Sequence, residues 1–134
     1  MPSFLEEIGL KTKGEIDLVD ITYEVFEKVR KSGIRNGIVT VFNPGSTGAV
    51  TTIEYERNLL KDFKNCLEEL IPKSRSYGHP GNAHSHLRAS VLGPSVAIPV
   101  KNGEPILGTW QQVVFIELDT HPRSRRIIVS VTGE

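Results

Sequence analysis

The sequence predicts an α+β fold: a largely antiparallel sheet, folded on itself or onto a second sheet, with two main helices and a short histidine-bearing helix. Three observations carry this. Stretches rich in β-branched residues outnumber helical ones, the order lacks strict strand–helix–strand alternation, and an Asn-Gly pair in "KNGE" marks a tight antiparallel hairpin. The length of 134 residues fits one domain over residues 1–134 and is enough to bury a sizeable core.

The elements follow in order. "EIGLKTKGEIDLVDI" reads as an opening strand or pair of strands with Gly14 at a turn. In "DITYEVFEKVRKSG", Asp20 can cap a helix, Ile21, Val25 and Val29 keep helical spacing, and Gly33 follows the last basic turn. "GIVTVFN" is a strand, "PGSTG" a break, and "AVTTIEYE" an alternating strand that carries Glu54. "RNLLKDFKNCLEELIP" is the clearest helix, with Leu59, Phe63, Cys66, Leu67 and Leu70 spaced by three and four before Pro72. "SVAIPV", "EPILGTWQQVVFIEL" and "RRIIVSVTGE" complete the strands, with Trp110 read as a core residue.

Composition narrows the function classes. Formal net charge is zero, so there is no basic surplus for nucleic acid and no polybasic tail for a membrane surface. No apolar run approaches the ~20 residues that span a bilayer, and the N-terminus lacks a signal-peptide pattern. A soluble cytoplasmic protein is expected. The single cysteine, Cys66, cannot form an internal disulfide and reads as a small core residue.

The segment "YGHPGNAHSHLRASVLGPS" concentrates His79, His84 and His86 with Arg88. Extended, His84 and His86 would face one side and share a metal. As a helix they lie about 200° apart, because each residue turns ~100°. The helix is favoured: Asn82 can cap it, good helix formers follow, and Gly93-Pro94 stops it. Asn82, His86 and Ser90 then share a stripe, and His79 can fold back towards His86 across the "PGN" loop. Such a pair suits a divalent ion such as zinc, and the helix start suits a phosphate. The plain alternative is a polar loop with surface histidines.

Other groups can join this chemistry. Glu54 and Glu117, each within a strand, are candidate metal ligands or general bases, or simply sit on solvated faces. "PGSTG" resembles a small anion nest with Ser46 and Thr47, or is a hairpin turn. In "HPRSRRIIVSV", Arg123 and Arg125 fall on one side and Arg126 on the other, and guanidinium groups suit phosphate. Gln111 in "GTWQQ" is a candidate hydrogen-bonding reader.

Taken together, "SHLRASVLG", "GTWQ", "PRSRR" and the terminal "GE" resemble the YjbQ-type family over essentially the whole chain. The resemblance implies a compact α+β sandwich that assembles as a homotrimer. It also implies an accessory thiamine-phosphate synthase activity, joining a pyrimidine diphosphate to a thiazole phosphate with release of pyrophosphate. Tyr77 and His79 match the family's Tyr-x-His, and His86 its helix histidine. Many bacterial members read His-Thr-Ser-Ala where this chain has Gly45-Ser46-Thr47-Gly48.

On this reading Arg88, Arg123 and Arg125 hold the phosphates of a small metabolite. His86, with His79, His84 and a divalent ion (zinc or magnesium), neutralises the departing pyrophosphate. Ser90 and Gln111 orient the substrate, and Glu54 or Glu117 ligates the ion or accepts a proton. Two other readings use the same residues: a non-catalytic binding protein for a phosphorylated metabolite or metal, and a metal-dependent hydrolase.

Overall fold

A computed structural model describes residues 2–134. In chain order the elements are β1 (Ser3–Lys11), β2 (Asp17–Asp20), α1 (Thr22–Ser32), β3 (Gly37–Phe42), β4 (Gly48–Ile53) and α2 (Arg57–Leu70). They continue with α3 (Ala83–Leu92), β5 (Ser95–Lys101), β6 (Glu104–Pro105), β7 (Gln112–Glu117) and β8 (Ser124–Gly133). The fold is α+β, as the sequence predicts.

The strands form two antiparallel sheets, ordered β1-β8-β3-β5-β6 and β2-β7-β4. Period-two alternation sorts their side chains. On β8, Arg125, Ile127, Val129 and Val131 are buried, while Arg126 between the first two is exposed. Val39, Val41, Ile98, Ile127 and Val129 of the larger sheet share a core with Val50, Val113 and Phe115 of the smaller one and with Val25 and Val29 of α1. The alternate residues of β7, Val114 and Ile116, join Leu67 of α2 and Ala89 of α3 in a second cluster. β7 is therefore buried on both faces, and the layers run large sheet, small sheet, then α2 and α3.

Local chemistry explains the boundaries. The N-cap of α1 is Ile21, not the expected Asp20, which stands one residue earlier and accepts from the Thr22 amide at 2.9 Å and from its hydroxyl at 2.6 Å. Gly33 ends α1 at φ 71°, a left-handed conformation that glycine adopts without Cβ strain. Asn102 and Gly103, at φ 54° and 81°, make the β5–β6 turn that Asn-Gly favours.

Several sequence expectations need correction. β1 and β2 enter different sheets, and "PGSTG" crosses between sheets, so it is no hairpin turn. The long "EPILGTWQQVVFIEL" strand is split into β6 and β7, because Gly108 and Gln111 close a turn: the Gln111 amide donates to Gly108 O at 3.1 Å and the Gly108 amide to Gln111 Oε1 at 2.8 Å. That turn leaves Trp110 70% exposed, not in the core. Cys66 is also exposed, because only Leu67 of the α2 stripe is fully buried. Glu54 lies just past the end of β4.

Candidate functional site

β7 and β8 belong to different sheets, and at one end of the sandwich each turns a charged residue into the gap. Glu117 is wholly buried, and Arg125 is 6% exposed. Arg125 Nε donates to Glu117 Oε1 at 2.8 Å, and its Nη2 donates to Oε2 in a bidentate fork. Thr12 Oγ1 donates to Oε1 at 2.7 Å and the Asp119 amide to Oε2 at 3.0 Å. Burial pushes the Glu117 carboxyl up, but the hydrogen bonds from Arg125, Thr12 and Asp119 outweigh it and hold it below the usual carboxylate range.

Arg125 Nη2 also donates to Thr47 Oγ1 at 2.9 Å, tying the "PGSTG" segment to the pair. Its Nη1 makes no hydrogen bond among the described residues. It sits against Gly45, where a Cβ would come within 2.9 Å. One face of a rigidly held guanidinium is thus left for a ligand.

A second pair repeats this logic. Asp119, 2% exposed, accepts from Arg123 Nη1 at 2.7 Å and from Thr47 Oγ1 at 3.1 Å. Burial raises its carboxyl, but the Thr120 amide, the Thr47 hydroxyl and the charges of His121 and Arg123 bring it below its ordinary value. Arg123, Arg125 and Arg126 line a cleft of about 510 Å³ with Asn43 and the Gly45–Thr47 backbone, and Asn82 and His86 of α3 close it.

The histidine segment divides. α3 forms as predicted, with Asn82 at its start, but the Asn82 side chain does not cap the helix. Its Oδ1 faces His79 Nε2 at 3.1 Å. His79 folds back onto His86, their rings edge to face with centroids 5.1 Å apart. His84 points the other way, buried, with Nε2 2.8 Å from Glu15 Oε1. Arg88, also wholly buried, donates through Nε and Nη2 to Ile71 O at 3.0 and 2.8 Å and pairs with Glu68 at 3.2 Å. The structure therefore sends His84 and Arg88 to the back of α3, where they fasten it to α2 and to the β1–β2 loop.

Of the remaining candidates, Gln111 hydrogen-bonds within its own turn and towards Thr52, in a separate groove. Ser90 is exposed, and neither Ser90 nor Glu54 lines the arginine cleft. Both Glu117 oxygens are occupied, so it serves Arg125. Asp119 and Asn43 are the residues the sequence reading missed. Asp119 had a signal, standing two residues after Glu117 and four before Arg123.

A catalytic zinc centre does not fit the single chain. Among the described residues no three His, Cys, Asp or Glu side chains converge. His79 and His86 fall short of the three protein ligands of a catalytic zinc site. No helix among the described residues is long and apolar enough to cross a membrane.

Fold and site define a two-sheet α+β sandwich whose open end presents an arginine-walled cleft. The chain belongs to the YjbQ-like UPF0047 family: the family model, described as UPF0047 protein YjbQ-like, matches residues 6–134. A UPF0047 protein of Methanothermobacter thermautotrophicus is 47% identical, covering 100% of this chain and 95% of that protein. Bacillus subtilis YugU is 31% identical over 96% of this chain and 99% of its own length. A crystal structure of a YbjQ-like protein of unknown function from Sulfolobus solfataricus superposes with a TM-score of 0.95 at 39% identity, covering 98% of both chains.

Proposed function

We propose that the cleft binds the phosphate or diphosphate of a small metabolite, and that the chain is a transferase of the thiamine-phosphate synthase kind. One observation carries the binding reading: Arg125 is pinned by Glu117 with Nη1 free beside the Gly45 backbone, and Arg123 is pinned by Asp119 at the same rim. Guanidinium groups fixed before the ligand arrives lose little freedom on binding and match phosphate oxygens. Positive charge held there also favours departure of pyrophosphate. The family resemblance supports the transfer reading. His86 is the imidazole at the cleft wall and the candidate proton donor to the leaving group. Exposed Leu5, Ile38 and Phe42 on the large sheet support self-association, and the family resemblance makes a homotrimer the form proposed.

A non-catalytic binding protein is the second reading. It is favoured by the carboxylates, since Glu117 and Asp119 are both tied to arginines and neither is free as a base. Mixing the protein with a pyrimidine diphosphate and a thiazole phosphate separates the two. Steady pyrophosphate release, lost in His86→Ala, supports the transferase. Saturable binding without release supports the binding protein. Neither binding nor release rejects both.

A further inference from the structure

Next to the arginine cleft lies a second concavity of about 350 Å³, and His86 lines both. The two differ in character. The cleft is walled by guanidinium, amide and hydroxyl groups and the Asp119 carboxylate, whereas the second is formed by Tyr77, Gly78, His79, Ala83 and Leu87, with no Asp, Glu, Lys or Arg in its lining and Arg75 6.0 Å from the Tyr77 ring centroid. Its walls are fixed. The Tyr77 hydroxyl donates to Pro72 O at 2.5 Å, which anchors the far end of the ring. His79 is braced by Asn82 and by the edge of the His86 ring. Leu87, 45% exposed, forms an apolar rim, and Val91 one turn further along α3 is exposed as well.

We infer that this pocket is a second subsite, for a flat uncharged ring joined to the phosphate held in the cleft, with His86 at the junction. The inference rests on the phosphate reading and adds the organic half of the ligand. The pocket's volume lies near the lower end of small-molecule pockets, about 300 Å³, and it is an open concavity with Gly78, His79 and Leu87 exposed around it, room for one ring to lie against rather than be enclosed. Adjacency supports the inference, because His86 lines both concavities and a ligand reaching from one to the other would pass its ring. A ring in the pocket loses contact with water on apolar walls and leaves no polar group unpaired there. A sugar phosphate would strand its hydroxyls against Leu87 and Ala83.

Calorimetric titrations with phenyl phosphate, glycerol 3-phosphate and inorganic phosphate test this on the full chain. The expected result is roughly tenfold tighter binding of phenyl phosphate than of glycerol 3-phosphate. In Leu87→Asp, with the fold checked by circular dichroism, the preference collapses to within about twofold. Arg123→Gln weakens all three probes alike. If phenyl phosphate and glycerol 3-phosphate bind equally in the wild type, or Leu87→Asp keeps the preference, the ring subsite is overturned while the phosphate reading stands. If no probe binds, both fall.

Discussion

Arg125 on β8 grips Glu117 on β7 across the gap between the two sheets, with Nε 2.8 Å from Oε1. The pair is buried, has further hydrogen bonds from Thr12 and Asp119, and leaves one guanidinium nitrogen towards the cleft. It thus closes the end of the sandwich and forms part of the wall of the arginine cleft.

The pair's cost when broken follows from burial. Glu117→Ala strands a desolvated guanidinium, with an expected loss of about 3–5 kcal/mol. The double variant Glu117→Met/Arg125→Met, with neither charge, is expected to lose less than either single substitution. Urea denaturation of all four proteins decides this. A double variant no more stable than the singles would contradict the account.

Acid weakens the fold through the same carboxyls. Glu117 and Asp119 titrate lower in the folded chain than their ordinary values. Their stabilisation is therefore fully present above the unfolded values of roughly 4 and is lost as pH falls through the folded ones. Thermal midpoints should stay level from pH 8 to about 5 and drop below about 4. Asp119→Asn should show a shallower acid decline than the wild type, and equal slopes would count against this role.

Gly45 separates binding from stability. A Cβ there meets Arg125 Nη1 at 2.9 Å and Asn43 Nδ2 at 3.4 Å. Gly45→Ala pushes on a guanidinium that Glu117 does not let go. Phosphate affinity is expected to fall about tenfold while stability changes by roughly 1 kcal/mol. Paired calorimetry and denaturation would show whether the larger effect lies on binding.

Arg88 tests the division of α3 into two faces. Its guanidinium holds Ile71 O at the end of α2. Arg88→Ala is expected to cost about 3 kcal/mol of stability. Its effect on phosphate affinity, measured below the thermal midpoint, should be far smaller than that of Arg123→Gln. The reverse order would return Arg88 to the phosphate site.

The sequence showed local patterns well and cross-sheet neighbours poorly. The helices, the Asn102-Gly103 turn and the return of His79 to His86 follow from spacing and turn chemistry within a few residues. Glu117 and Arg125 are eight residues apart yet meet from different sheets, and strand periodicity says nothing about which sheet a strand joins. His84 and Arg88 carry the right groups for a metal or phosphate, but residue type does not say which face of α3 packs inward. Residue type alone predicts Trp110 and Cys66 in the core, whereas a turn and an uncovered α2 face put them outside. Asp119 follows a strand end in sequence, and only the folded chain brings Arg123 Nη1 to 2.7 Å from its carboxylate.

The most direct measurement is a calorimetric titration of the wild type and Arg123→Gln with pyrophosphate. Arg123 is 42% exposed at its side chain, and a glutamine there keeps an N–H donor for Asp119, whose other donors are Thr47 and the Thr120 amide. The account predicts saturable binding by the wild type and affinity at least about tenfold weaker in the variant. Equal affinities in two folded proteins, or no binding by the wild type, would contradict it.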